Sequence, residues 1–168
     1  MPEVRSWRQG GTGSHSESLD QPTESPDKYE SGNPNAAGIV GLAAAIDWIL
    51  AQGIDSLATR SAGLISQLYQ GLMANPRVRV LTPDPSISLN VGVVSFVLDG
   101  VDPRVTATLL DSQFDIEVRA GLHCAPLIHR SLGTLETGGT VRASIGPFTE
   151  SADIEALLTA LLMITTAM

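Results

Sequence analysis

Cysteine and lysine are almost absent from this chain of 168 residues, which contains only Cys124 and Lys28 of these two types. One thiol cannot form a disulfide within the chain, so the sequence favours a reducing compartment, the cytoplasm. Basic residues are also few, with 10 Lys and Arg against 18 Asp and Glu, and the net charge is −8. This balance argues against a nucleic acid or an anionic membrane surface as partner.

Long apolar runs are missing as well, because polar residues or glycines interrupt each one. The sequence therefore predicts no membrane-spanning segment. The first eleven residues contain no apolar core of the kind found in signal peptides. An apolar share of 43% over this length instead fits one domain with a substantial core.

The pattern changes near residue 38. Residues 1–37 are rich in Gly, Ser, Pro and Asn and have no apolar periodicity, which predicts an extended loop or dimer-contact segment. Residues 38–168 read as a regular folded domain. Its first helix has Ile39, Leu42, Ile46 and Ile49 at helical spacing, with alanine on much of the remaining surface. We expect this helix to be buried on more than one side.

Helix and strand patterns then alternate along the chain. The spacing predicts a second helix capped by Asp55, strands at 77–81, 91–98, 115–119 and 140–145, and helices opened by Asp102-Pro103 and by Thr149. This order predicts an α+β fold in which a small sheet is covered by helices on one face.

The segment RAGLHCAP, residues 119–126, contains the only cysteine. Cysteine acts as a thiolate, and we expect Arg119, His123 and His129 to raise the local positive potential that favours this form. The alternative is a small buried side chain, which is the commoner fate of a lone cysteine. His123, Cys124 and His129 would give at most three metal ligands without a standard spacing, so no metal site is predicted.

Two further segments are candidates for binding anions. Arg142 lies on the polar face of the strand in GGTVRASIG, and its planar guanidinium suits a carboxylate held by two hydrogen bonds. The alternative is an exposed arginine on a solvated strand. Residues 10–14, GGTGS, offer consecutive backbone N–H groups for a phosphate but lack the Walker lysine, so a flexible linker remains the alternative.

Taken together, the segments YESGNPN, RAGLHCAPLIHRSLGT and GGTVRASIGPFTESADIEAL resemble, in this order, the C-terminal part of class V aminotransferase-fold enzymes. They are most similar to the cysteine desulfurase and selenocysteine lyase group, which depends on pyridoxal 5'-phosphate (PLP). The resemblance implies the small C-terminal domain of the fold type I architecture, in residues 38–168. It also implies a homodimer or larger oligomer.

The resemblance implies a role for each matching position. Cys124 would be the catalytic nucleophile that takes sulfur from cysteine as a persulfide. Arg142 would bind the substrate carboxylate, with Arg119 and Asn35 near the substrate. Gly11 and Thr12 would reach the cofactor phosphate of the partner subunit.

The expected large domain with the PLP-binding lysine has no counterpart in these residues, since Lys28 lies outside the family's lysine position. We therefore expect the chain by itself to be inactive, because PLP requires a lysine for its Schiff base. Two alternatives remain open: a non-enzymatic module for dimerisation or sulfur carrying, and another activity of the class V aminotransferase type.

Overall fold

The computed structural model describes residues 5–11, 15, 17–88 and 90–168, and the chain divides into two compact units. The first unit ends at Gln52 and the second begins at Gly53. The helices and strands are α1 (Ala36–Gln52), α2 (Ile54–Met73), β1 (Val78–Val80), β2 (Val93–Leu98), α3 (Pro103–Phe114), β3 (Arg119–Gly121), α4 (Pro126–Ser131), β4 (Thr140–Ser144) and α5 (Ser151–Thr166). The predicted α+β fold is confirmed.

The second unit is built on one antiparallel sheet with the strand order β1-β2-β4-β3. As its continuous apolar sequence predicts, β2 lies between two neighbours. Alternate side chains point to opposite faces of a strand. One face carries Val94, Phe96, Leu98, Val141 and Ala143, all of which are buried. The other face carries Ser95 and Arg142, among others.

Helices α2, α3 and α5 supply the rest of the core. Their residues in the buried hydrophobic core are Leu64, Ile65, Leu68 and Leu72 of α2, Leu110 of α3, and Ile154, Leu157, Ala160, Leu161 and Ile164 of α5. The residues of α2 and α5 recur at spacings typical of an amphipathic helix, and each large aliphatic side chain contributes about 1.5–3 kcal/mol on burial. Gly71 lets α2 approach α5 closely, since a Cβ at this position would overlap the Leu158 side chain.

The helix ends confirm one predicted helix cap and contradict another. Asp102 caps α3 as predicted: its Oδ1 accepts from Arg104 N at 2.7 Å, and Pro103 is the first helical residue. The predicted cap at Asp55 is wrong. Gly53 occupies the N-cap of α2 without a side-chain hydrogen bond, and Asp55 lies within the first turn. The positive φ of 81° at Gly53 separates α1 from α2, a conformation that glycine adopts without strain.

Two further predictions are corrected. Residues 115–118 are not a strand, because Asp115 ends α3 in the left-handed conformation, with φ 56°, and pairing in β3 begins only at Arg119. Helix α1 has no buried residue, with Ile39 59% and Leu50 65% exposed. The apolar composition of α1 shows that this helix could be buried, but whether it is buried depends on the elements that cover it.

Before α1, the described residues of the first unit form turns and bends. The backbone N–H of Gly32 donates to the carbonyl of Gly11 at 2.8 Å, which joins two of the motifs singled out in the sequence. No single helix in the described ranges is both long and apolar enough to cross a membrane; α1 and α2 meet that test only as a bent pair.

Candidate functional site

Two arginines lie side by side on the face of the sheet opposite the core. Arg119 of β3 is directly paired with Arg142 of β4, and directly opposed residues share one face. Val141 and Ala143, which flank Arg142, are buried against the helices, so Arg142 projects from the other face. Like charges placed directly opposite each other destabilise a sheet. A bound anion between them would offset this cost.

Arg142 also has an unsatisfied donor. Its Nε is buried and makes no hydrogen bond within the part of the chain that the structure describes. A buried donor without a partner costs about 1–3 kcal/mol. An unsatisfied guanidinium N–H beside a second arginine position is able to donate to a carboxylate.

Cys124 follows the end of β3 in a tight loop. Both His123, with φ 51°, and Cys124, with φ 58°, adopt the left-handed conformation, which is uncommon for residues other than glycine. A hydrogen bond of 2.8 Å from Ala125 N to the Leu122 carbonyl closes the turn. Cys124 is exposed, so a small buried side chain, the alternative considered from the sequence, does not describe it.

His123 ties this loop to β4. Its Nε2 lies 3.1 Å from the Thr140 carbonyl oxygen and 3.1 Å from Thr140 Oγ1. Burial lowers the pKa of His123 below its usual value, and the positive charge of Arg142 lowers it further, against the opposing effect of the Thr140 hydrogen bond. The ring is therefore neutral at pH 7. The expectation that His123 adds to the positive potential around Cys124 is wrong.

His129 has a structural position in α4. It is 3% exposed, and its Nδ1 lies 2.8 Å from the hydroxyl of the buried Thr134. The Thr134 N–H in turn donates to the His129 carbonyl at 2.8 Å. The His129 ring lies 5.7 Å from that of His123, measured between centroids. His129 thus fixes the segment after Cys124 through its two hydrogen bonds with Thr134.

Gly139, which the sequence reasoning did not single out, determines how closely the cysteine loop approaches β4. Its φ is 96°, and a Cβ there would overlap the Gly121 carbonyl and press on Leu122 N. Its N–H donates to the Thr134 carbonyl at 2.8 Å. The sequence feature that could have predicted this close approach is the pair of glycines directly before a strand, because glycine there often marks a close approach of two backbones.

The remaining candidates belong to the first unit. Gly11 accepts the Gly32 hydrogen bond described above, while Thr12 lies outside the described residues. Asn35 caps α1, since its Oδ1 accepts from Gly38 N at 3.0 Å. The sequence suggested only a place near the substrate for Asn35, and the Asn-x-x-Gly spacing before an apolar helix was the missed capping signal.

Lys28 lies in the turn that precedes YESGNPN, with its Nζ 5.6 Å from the centroid of the Tyr29 ring. Across the described ranges, no group of three His, Cys, Asp or Glu side chains is placed to hold a metal ion.

Comparison with known proteins identifies the family. The aminotransferase class-V family model matches residues 1–157. The chain therefore belongs to the aminotransferase class-V family. Within it, the similarity is to PLP-dependent cysteine desulfurases, which confirms the resemblance seen in the motifs.

Two curated relatives illustrate this similarity. A probable cysteine desulfurase of Vibrio cholerae is 39% identical over 159 residues, which cover 92% of this chain and 37% of the relative. The cysteine desulfurase CsdA of Escherichia coli is 33% identical over 156 residues, again 92% of this chain and 37% of the relative. The chain thus spans little more than a third of the length of these relatives.

Solved structures agree. The apo cysteine desulfurase of Thermococcus onnurineus NA1 matches with a TM-score of 0.78 and 31% identity, over 87% of this chain and 35% of that one. The E. coli CsdA structure with an S-sulfonic acid matches with a TM-score of 0.74 and 28% identity, over 97% of this chain and 39% of that one.

Proposed function

We propose that this chain carries the sulfur-accepting part of a cysteine desulfurase site, in which Cys124 receives sulfur and Arg142 holds the substrate carboxylate. The observation that carries the proposal is the arginine pair on β3 and β4. It combines two arginines at directly paired strand positions with a buried, unsatisfied Nε on Arg142. Cys124 is exposed on the loop that leaves β3 five residues after Arg119.

In this proposal the arginines orient the substrate through its carboxylate, so that its sulfur faces the cysteine loop. The Cys124 thiolate attacks that sulfur, and a new S–S bond forms as the carbon–sulfur bond of the substrate breaks. The electron pair of the broken bond stays on carbon, which gains a proton and leaves as alanine. Cysteine and the enzyme thiol thus become alanine and a persulfide on Cys124, with no external oxidant or reductant.

PLP, the cofactor of the family, would supply the electron sink that makes the carbon–sulfur bond labile. The residues of this chain that fit its surroundings are few. Arg142 offers an unsatisfied donor to a bound carboxylate, and Gly11 lies beside the YESGNPN turn through its hydrogen bond to Gly32. We assign Gly11 and Thr12 to the cofactor phosphate of the partner subunit and Asn35 to the substrate surroundings, as the family motifs imply.

We place the lysine that anchors PLP outside these 168 residues. Lys28 is the only lysine in the sequence, and it lies beside Tyr29 in a polar turn. Sulfur release therefore requires a lysine-bearing domain in addition to this chain. The chain by itself is inactive in this proposal.

We also propose that the protein assembles as a homodimer. Support comes from α1, whose exposed side chains include Ile39, Val40, Leu42, Ile46 and Leu50. Apolar helical faces of this kind are typical of interaction surfaces.

The test combines the purified chain with the lysine-bearing region of the V. cholerae relative, PLP, cysteine and dithiothreitol, a thiol that reduces the Cys124 persulfide and frees its outer sulfur as sulfide, and it measures that sulfide. We expect release only when both proteins are present, and none from the chain with PLP alone. Cys124→Ser should abolish it. Arg142→Gln should raise the KM for cysteine roughly 10- to 100-fold, equivalent to one charge-assisted hydrogen bond of about 1.5–3 kcal/mol.

The matched control is Arg104→Gln, which removes an arginine on α3 outside the β3–β4 pair and should leave KM unchanged. Two results would contradict the proposal. One is sulfide release by the chain alone that Lys28→Ala abolishes. The other is restored activity that survives Cys124→Ser.

A further inference from the structure

The loop around Cys124 is held in a conformation that its own residues disfavour. The left-handed conformation is strained for a residue other than glycine, and His123 and Cys124 are two such residues in succession. This backbone persists only where the surrounding structure determines it. In the described structure the contacts that do so are the Ala125–Leu122 turn and the His123 bond to β4.

The acceptor fixes the position of the proton on the His123 ring. A carbonyl oxygen only accepts, so the 3.1 Å contact with the Thr140 carbonyl places the proton on Nε2. Nδ1 is then a lone-pair acceptor, and it is buried without a hydrogen-bond partner among the described residues. Protonating Nδ1 would make the ring positively charged and would leave the buried Nδ1–H without a hydrogen-bond acceptor, which is costly.

Neighbouring side chains on three elements act on the pKa of His123 in the same direction as burial does. Arg142 on β4, Arg119 on β3 and His129 on α4 all disfavour a positive charge on His123, in addition to the effect of burial. His123 therefore cannot serve as the cation that activates the thiol near neutral pH. What it does is join two segments. Thr140 lies two residues from Arg142 on β4, and so on the same face of the strand.

We propose that His123 is a positioning residue, whose Nε2–H bond to the Thr140 carbonyl sets the place of the Cys124 thiol relative to the Arg119–Arg142 pair. The inference rests on the proposed function, in which the thiol and the arginines act on one substrate. The residue that touches the substrate is Cys124, and His123 acts through it.

The chain is well suited to a direct test, because Cys124 is its only cysteine and alkylation reports on this thiol alone. The probes are iodoacetate, which carries a carboxylate, and the neutral iodoacetamide. The ratio of their rate constants measures how well the thiol is aligned with the arginine pair. Two variants separate the hydrogen bond from the backbone. His123→Gln keeps an N–H donor at a similar reach, whereas His123→Asn tolerates the left-handed conformation but is too short.

We expect the iodoacetate-to-iodoacetamide ratio to exceed that of free cysteine at least fivefold and to fall toward the free value in Arg142→Gln. His123→Asn should lower it about as much, while His123→Gln should stay within twofold of the parent chain. The ratio should show no step near pH 6.5, the usual pKa of histidine, because the pKa of His123 is lowered.

Equal loss in both His123 variants, or no loss in His123→Asn, would overturn the inference. If Arg142→Gln lowers the ratio but His123→Asn does not, the positioning role fails and the arginine site stands. If Arg142→Gln has no effect, the carboxylate site of the proposed function fails.

A second measurement holds even where a variant does not fold. Nitrogen-15 spectra of the unmodified chain at pH 7 should show a protonated Nε2 and an unprotonated Nδ1 for His123. The opposite tautomer, or a doubly protonated ring, would overturn the inference independently of any alkylation result.

Discussion

Replacing Gly139 by alanine should disturb the contact between the cysteine loop and β4 more than the same replacement would at a loop glycine with free space around its Cβ position. Gly139 has a φ of 96°, and a Cβ there would overlap the carbonyl of Gly121, at the end of β3. A backbone carbonyl cannot rotate away as a side chain can, so β3 and β4 must separate locally or the loop must shift.

Two costs add in this variant. A side chain in the left-handed half of the φ range costs roughly 1–2 kcal/mol, and forcing extra volume into a packed contact costs about 1–3 kcal/mol more. The sum is about 2–5 kcal/mol. One kcal/mol corresponds to roughly 2–4 °C in Tm for a protein of this size, so we expect Gly139→Ala to lower Tm by about 4–20 °C.

The matched control is Gly133→Ala. Gly133 also has a positive φ, 69°, but nothing lies within 4 Å of the position where its Cβ would be. It should show the backbone cost alone, about 1–2 kcal/mol. Thermal unfolding followed by circular dichroism measures both variants. If Gly139→Ala unfolds at the same temperature as Gly133→Ala, the close approach at Gly121 is not a real constraint.

Three further predictions concern the pH response, a helix cap and the core. The pKa of folded His123 lies below its usual value of 6.5, so the unfolded chain binds more protons below about pH 6.5 and the free energy of unfolding should fall as the pH drops through that window. Urea unfolding at pH 7.5 and 5.5 should show a smaller fall in His123→Gln than in the parent chain. An identical fall would contradict the assignment. Asn35→Ala should remove the α1 cap at a cost of about 0.5–2 kcal/mol, and amide hydrogen exchange in the first turn of α1 should become faster. Asn35→Asp should exchange at nearly the rate of the parent chain. Equal exchange rates in the two variants would show that the bond to Gly38 is not a cap. Leu68→Ala, at a fully buried position, should cost about 2–5 kcal/mol in denaturant unfolding, whereas Leu162→Ala, at an exposed one, should cost far less; similar losses would contradict the described core.

The elements that sequence reasoning predicted well are those with a local cause. The Asp102-Pro103 cap, the apolar stripes of α2 and α5, and the alternation in β4 all depend on residues near each other in the chain. The strand expected at 115–119 failed because periodicity cannot detect a helix end, and the left-handed Asp115 shortened β3.

The sequence could nominate residues for the candidate site but not their electrostatics, and the role of each residue stays a prediction. Motif order singled out Arg119, Cys124 and Arg142. The direct pairing of the two arginines depends on strand register, which a single strand sequence does not fix. The neutral state of His123 depends on its burial against β4 and on Arg142, a residue nineteen positions away in the sequence. Sequence proximity to Cys124 suggested a cationic helper, and the tertiary contact reversed that expectation.

The central claim, that Cys124 accepts sulfur, is tested most directly by mass spectrometry of the peptide that contains it. The chain is incubated with the lysine-bearing region of the V. cholerae relative, PLP and cysteine, then alkylated and digested. The account predicts that the Cys124 peptide gains one sulfur atom and that Arg142→Gln reduces this gain at low cysteine concentration. Sulfide release with an unmodified Cys124 peptide at every time point during turnover would contradict it.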